Sequence, residues 1–238
     1  MKTITSLLLI ATLWDATRAY AQTINIQNSG NSRLSVRNGR VRASSDVIVG
    51  NGLSVQRTYA CKQFHTLLSD QSMDITWGQG DEPSVVIEGD ENIVNSMQVS
   101  VMGATLKIQS PKSFVSQSAL RAYVTSPSMR QAKLSGSGDL EVFGCHGDEF
   151  IVDAQGSGDI TVSGSVKRLI LKLSGSGDVG AAGCDAESVQ VSMNGSGDVN
   201  VSCSGSVTGS MNGAGDLTVS GNAIINVRND GAGEIYTD

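Results

Sequence analysis

LSGSGDLEV at residues 134–142 is followed by AQGSGDITV at 154–162, LSGSGDVGA at 173–181, MNGSGDVNV at 193–201, MNGAGDLTV at 211–219 and a frayed NDGAGEIYT at 229–237. Aligned on the acid, the repeats place Asp139, Asp159, Asp178, Asp198, Asp216 and Glu234 at spacings of 20, 19, 20, 18 and 18 residues. A period of this length marks a solenoid, in which each coil packs only on its neighbours. Apolar residues recur with strict alternation on both sides of the acid: Leu140, Ile160, Val179, Val199, Leu217 and Ile235 one residue after it, and Leu134, Ala154, Leu173, Met193 and Met211 five before it. The column nine before the acid, Arg130, Phe150, Leu169, Val189, Val207 and Ile225, shares that parity. Period-two alternation means strands with one face inward.

The paired glycines fall on the inward parity: Gly136 and Gly138, Gly156 and Gly158, Gly175 and Gly177, Gly195 and Gly197, Gly213 and Gly215. They read as the bend of each coil, where the inner side has no room for a Cβ and Gly also permits unusual dihedrals. The Ser and the acid then point outward. Coils wound in one sense pair their strands in parallel, so the expected fold is all-β, a right-handed parallel solenoid of about 18–20 residues per coil.

Upstream, alternation persists in SMDITW, SVVIEG, SMQVSVMGATLKI and LRAYVTSP, joined by polar turns such as GQGDEP and EGDENI. Gly50 and Gly52 suggest a further tight turn. The chain divides into residues 1–21, a secretory signal with an A-x-A site ending at Ala21; 22–126, an irregular β region; and 127–238, the regular solenoid. With aromatic residues at 4% and Gly at 28, the composition favours stacked strands over a core of large rings, and the three Pro are too few for a Pro-rich linker.

The net charge is −6, and signal cleavage would leave the chain one unit more acidic, which argues against a nucleic-acid partner. After the signal, no stretch is long and apolar enough for a membrane-spanning helix. Export makes disulfides available to Cys61, Cys145, Cys184 and Cys203, and no C-x-x-C pair suggests zinc. Cys184 and Cys203, one repeat apart, are the candidates for a bridge, with free buried thiols the alternative. Cys145 and Cys184 lie two coils apart, about 10 Å, and should not bond.

The stretch VIVGNGLSVQRTYACKQFHTLLSDQSMDITW, followed by ATLKIQS, AYVTSPSMRQAKLSGSGDL and the Gly-Ser-Gly-Asp ladder, resembles the DUF2807 family, the putative auto-transporter adhesin head GIN domain. The resemblance runs from about Gly50 to the C-terminus. It implies an exported bacterial β-helical domain of the kind frequent in Bacteroidetes, without an established catalytic site.

Three chemical readings follow. The acidic column Asp139, Asp159, Asp178, Asp198, Asp216 and Glu234 could recruit Ca²⁺ through hard oxygen ligands, but an Asp beside Gly more often satisfies local backbone N–H groups. Paired carboxylates on a β-helix could perform acid and base work on a polysaccharide, yet a repeated acid singles out no pair. His146 lies near Asp148, Glu149 and Asp153, and His65 stands alone; neither makes a metal centre or a triad. The serines Ser137, Ser157, Ser176 and Ser196 add a polar strip. Trp77 is the only tryptophan after the signal, so no aromatic sugar platform is evident. The reading that best fits is a non-enzymatic exported binding module without a cofactor, for adhesion or envelope interaction. Its partner would be a glycan or a cell-envelope or host protein, and open strand edges would permit self-association.

Overall fold

A computed structural model of the chain describes residues 47–238 throughout and, before them, the backbone of three short strands: β1 (Asn25–Ile26), β2 (Leu34–Arg37) and β3 (Arg40–Ala43). The signal segment lies outside the described residues. Next come β4 (Val47–Val49), β5 (Ser54–Ala60), β6 (Thr66–Ser69), β7 (Asp74–Gln79) and β8 (Ser84–Asp90). A single-turn helix α1 (Glu91–Val94) leads to β9 (Gln98–Met102), β10 (Thr105–Gln109), β11 (Ser113–Ser116), β12 (Arg121–Ser126) and β13 (Gln131–Leu134). The regular coils are β14 (Leu140–Ala154), β15 (Ile160–Leu173), β16 (Val179–Met193) and β17 (Val199–Met211), and the last is split into β18 (Leu217–Ser220), β19 (Ile224–Asn229) and β20 (Ile235–Thr237).

These strands stack in parallel in the register of the repeat: Leu140 pairs with Ile160, Ile160 with Val179, Val179 with Val199, Val199 with Leu217 and Leu217 with Ile235. The aliphatic columns on both sides of the bends are buried, Val152, Leu171 and Val191 among them, and form one continuous core along the axis, with Ile225, Val227 and Ile235 of the last coil half-buried against it. Arg130 departs from its column. It is exposed because β13 begins only at Gln131, and the Arg130 N–H donates to the His65 carbonyl at 2.8 Å.

The stacking does not begin at residue 127. β13 lies on β6, and β14 lies on β7, so QSMDITW forms a coil beneath the first Gly-Ser-Gly-Asp repeat. Under that coil, β10 pairs in parallel with β6 and β12 with β7. Gln71 and Met73 occupy the two glycine positions of this early coil. The segment below them does not bend tightly but makes an excursion from β10 to β12 that includes β11, and this leaves the Met73 side chain room to be buried. Without its glycines the coil escapes the repeat pattern, although its alternation is intact. β8 then pairs antiparallel with β12, and β5 with β8, which extends the same sheet away from the coils.

The glycines of the bend owe their identity to the coil beneath. A Cβ built on Gly175 would lie 2.9 Å from the Gly156 carbonyl carbon and nearer still to its oxygen, and Gly195, Gly213 and Gly231 repeat the contact one coil further on. None of these glycines has a positive φ, so the constraint is close axial approach rather than an unusual dihedral. Left-handed glycines serve the opposite corner instead, at Gly144 (φ 73°), Gly164 (φ 139°) and Gly221 (φ 98°).

EGDENI is more than a turn. Glu88–Asp90 end β8, Glu91–Val94 form α1, and Asp90 is fully buried. Its carboxylate accepts hydrogen bonds from Gly52 N–H (2.9 Å), Ser116 Oγ (2.8 Å) and Gln117 N–H (2.7 Å). One side chain thereby ties the Gly50–Gly52 turn to the segment after β11. Burial alone would raise its pKa, but the Gln117, Ser116 and Ser118 hydrogen bonds outweigh it and hold the carboxyl below the usual Asp range.

Candidate functional site

At each bend the chain turns so sharply that the acid's own N–H finds no backbone carbonyl in the coil below. A carboxylate fills the gap. Asp159 N–H donates to Asp139 Oδ1 at 2.9 Å, Asp178 N–H to Asp159 at 2.9 Å, Asp198 N–H to Asp178 at 2.8 Å, Asp216 N–H to Asp198 at 2.8 Å and Glu234 N–H to Asp216 at 2.8 Å. Asp139 N–H donates in the same way to Asp74 at 3.2 Å, so Asp74 is the foot of the ladder. The acid's carbonyl completes the link: Leu140 N–H donates to Asp159 O at 2.8 Å, and every later coil repeats the bond. Asp is short enough to reach this N–H, which explains its repetition. Glu234 stands on the last of these coils, and its longer carboxylate accepts from the Tyr236 hydroxyl instead, at 2.7 Å.

The six acids expected to form a calcium ladder are thus brought into one column, and each of the five aspartates has a carboxylate oxygen engaged by a backbone N–H. Among the described residues, no three His, Cys, Asp or Glu side chains converge as a metal-binding group. Of the serine strip, Ser137 pairs its hydroxyl with that of Ser72 at 2.7 Å, and the others face solvent.

The acids near His146 do not assemble around it. Asp148 pairs with Lys167 (2.7 Å), which holds its carboxyl below the usual range, Glu149 pairs with Arg168 (3.7 Å), and Asp153 accepts from Gln155 (2.9 Å). His146 is exposed beside the Gly144 carbonyl, and His65 Nδ1 meets Ser128 Oγ at 3.1 Å. Trp77 is wholly buried, with its indole N–H donating to Ser126 Oγ at 2.9 Å.

The four cysteines are free thiols. Cys203 does not face Cys184: register shifts between β16 and β17 set it opposite Ala186, with its thiol directed at the Ser206 carbonyl, 3.3 Å away. Cys184 meets Cys145 instead. Both sit in register with Gly164, one on each side, and their sulfurs lie 3.6 Å apart. The hydrogen bond to Cys184, together with burial, pushes the Cys145 thiol far above its ordinary range. Such a thiol is inert packing rather than a nucleophile.

The outward side of the long sheet carries the polar chemistry. At the foot of the acid ladder, Arg121 and Tyr123 of β12, Asp74 and Thr76 of β7, and Asp139 and Glu141 line an open cleft of about 460 Å³. Tyr123 is 41% exposed and is the aromatic ring of the cleft. Arg121 stands in register between Glu88 and Asp74, and among the described residues it has no ion pair within 4.0 Å. A row of outward side chains continues from Tyr123 through Thr76, Glu141 and Thr161 toward Tyr236 at the far end. Nothing in the spacing of these residues marked the cleft, because β12 and β14 are brought together only through β7.

Parallel coils with a polar outward face define a β-solenoid. The family described as "Putative auto-transporter adhesin, head GIN domain", DUF2807, matches residues 63–223, and the chain belongs to that family. Among solved structures, a putative adhesin from Bacteroides fragilis is 22% identical, with a TM-score of 0.68 over 80% of this chain and 100% of that one. A putative adhesin from Parabacteroides merdae is 15% identical, with a TM-score of 0.53 over 82% of this chain and 100% of that one. At these identities the likeness establishes the fold. No curated protein matches the chain. Among the described residues, no helix is long and apolar enough to cross a membrane.

Proposed function

We propose that this protein is an exported, non-enzymatic binding module of the cell surface or periplasm, which engages its partner through the outward face of the long sheet. One observation carries the reading. The repeated acids, which would be the obvious catalytic or metal groups, are used to join one coil to the next, and this leaves an extended rigid surface of hydroxyl, carboxylate and isolated aromatic side chains. Solenoids use such surfaces for recognition, and membership of an adhesin family agrees with that use.

The test is saturable binding of the fluorophore-labelled protein, lacking residues 1–21, to intact bacterial and host cells and to isolated envelopes, run beside an assay for reducing ends released from polysaccharides. Saturable binding without sugar release supports the proposal. Steady release of reducing ends, or no saturable binding to any of these surfaces, overturns it.

A further inference from the structure

We infer that the cleft at the foot of the acid ladder binds an uncharged pyranose unit of a glycan, with Tyr123 as the platform and Arg121 and Glu141 as the hydroxyl-reading groups. The inference rests on the binding-module reading above and names the ligand class of its surface. A pyranose presents a C–H face and a rim of vicinal hydroxyls, and the cleft offers a counterpart to each. The half-exposed Tyr123 ring supplies an apolar face ending in a polar tip. Arg121 supplies a planar fork of donors that no carboxylate among the described residues meets within 4.0 Å. Glu141 supplies acceptors that, among the described residues, take only one long hydrogen bond, from Thr76 Oγ1 at 3.4 Å. The cleft's volume of about 460 Å³ lies in the range that holds small ligands.

The same geometry disfavours other occupants. Asp74, Asp139 and Glu141 outweigh Arg121, so the lining is net negative and repels sialylated, sulfated or phosphorylated groups. An extended peptide would need a free strand edge to add to, and β12 is paired on both sides, with β7 and with β8. A pyranose needs neither an anion site nor an edge. The cleft is shallow and open, so binding to one sugar is weak, and useful attachment would come from many copies acting together.

The experiment is an array of uncharged glucose-, galactose-, mannose- and N-acetylglucosamine-terminated oligosaccharides beside sialylated and sulfated ones, followed by titration calorimetry with the best oligosaccharide. Binding to uncharged termini is expected. Tyr123→Ala and Arg121→Gln should each weaken it at least 10-fold, Tyr123→Phe by less than 3-fold, and Asp178→Asn and Tyr236→Ala not measurably. Melting curves of every variant confirm the fold, and Tyr123→Phe keeps the ring where Tyr123→Ala disturbs the strand. Preference for anionic glycans, or affinity unchanged in both Tyr123→Ala and Arg121→Gln, overturns the assignment. If the array is blank while the labelled protein still saturates cell surfaces, the saccharide assignment falls and the binding-module reading stands; if neither binds, both fall.

Discussion

Replacing Gly175 with Ala should lower stability by about 3–6 kcal/mol, whereas replacing the neighbouring Asp178 with Asn should change it by no more than about 1 kcal/mol. The new methyl at Gly175 would lie 2.9 Å from the Gly156 carbonyl carbon and 3.0 Å from that of Gln155, both backbone atoms that cannot rotate away. The coils must part there, at an overpacking cost of about 1–3 kcal/mol. Parting also weakens two bonds that flank the site, Ser176 N–H to Gly156 O (3.1 Å) and Asp178 N–H to Asp159 Oδ1 (2.9 Å). The first is worth about 0.5–1.5 kcal/mol and the charged one about 1.5–3. The unfolded chain returns about 0.4–1 kcal/mol, because Ala is less flexible than Gly.

Asp178→Asn behaves differently. The amide oxygen can still accept the Asp198 N–H, now held at 2.8 Å by the carboxylate. Loss of charge assistance is offset by relief of repulsion from Asp159 and Asp198, about 0.9 kcal/mol each in water at the 4.8 Å strand spacing. Thermal melts followed by circular dichroism, with urea titrations to obtain free energies, separate the two: at about 2–4 °C per kcal/mol, Gly175→Ala should melt at least 6 °C lower. Gly233→Ala makes the same kind of contact in the last coil, where a frayed end spares the rest, and should cost less than half as much. Equal losses from Gly175→Ala and Asp178→Asn would refute the division between a backbone constraint at glycine and a replaceable acceptor at the acid.

Asp90→Ala should destabilise by about 3 kcal/mol, since it strands the buried Ser116 hydroxyl and two part-buried backbone N–H groups. The folded pKa of Asp90 is depressed, so its contribution is present above the unfolded value near 3.9 and is lost as pH falls through the folded one. The gap in melting temperature between wild type and Asp90→Asn should therefore be full at pH 6 and narrow below about pH 4. Oxidation of the native protein should leave Cys145 and Cys184 unbridged, because their backbones are two coils, about 10 Å, apart; a mass 2 Da lower, with those residues cross-linked in a peptide map, would contradict the register. Raising NaCl from about 10 to 300 mM should raise the melting temperature by screening the acid column. Ca²⁺ at matched ionic strength should add no more than Mg²⁺ does, and a saturable, calcium-specific shift would show that the carboxylates' remaining oxygens act as ligands.

The solenoid was legible in the sequence because its columns are repeated and its period is nearly constant; Leu140 through Ile235 could be laid in register by counting. The coil built by β6 and β7 was not legible as such. Gln71 and Met73 replace the glycines there, and the chain enters the stack out of order, with β10 and β12 beneath a coil that precedes them. The acids were placed correctly in one outward column, but their role lay in an axial hydrogen bond to a backbone N–H that no spacing reveals. Cys184 was matched to the wrong neighbour for a similar reason: irregular register between β16 and β17 displaces Cys203, and the sulfurs of Cys145 and Cys184 meet across the coil that carries Gly164. The spacing of LRAYVTSP marked a strand but not the partner of Tyr123, because Glu141 reaches the same cleft only from the far side of β7.

The axial stitching also bears on mechanics. A pull that detaches the last coil loads the Glu234-to-Asp216 link and its neighbours before those of deeper coils, so the stack should yield in sequence, like a zip, rather than all at once. Each coil released would free about 65 Å of extended chain. A protein holding a surface under flow would then lengthen stepwise and shed load before its grip fails, and rewinding could restore the lost coils because the remaining stack still presents the template on which they formed.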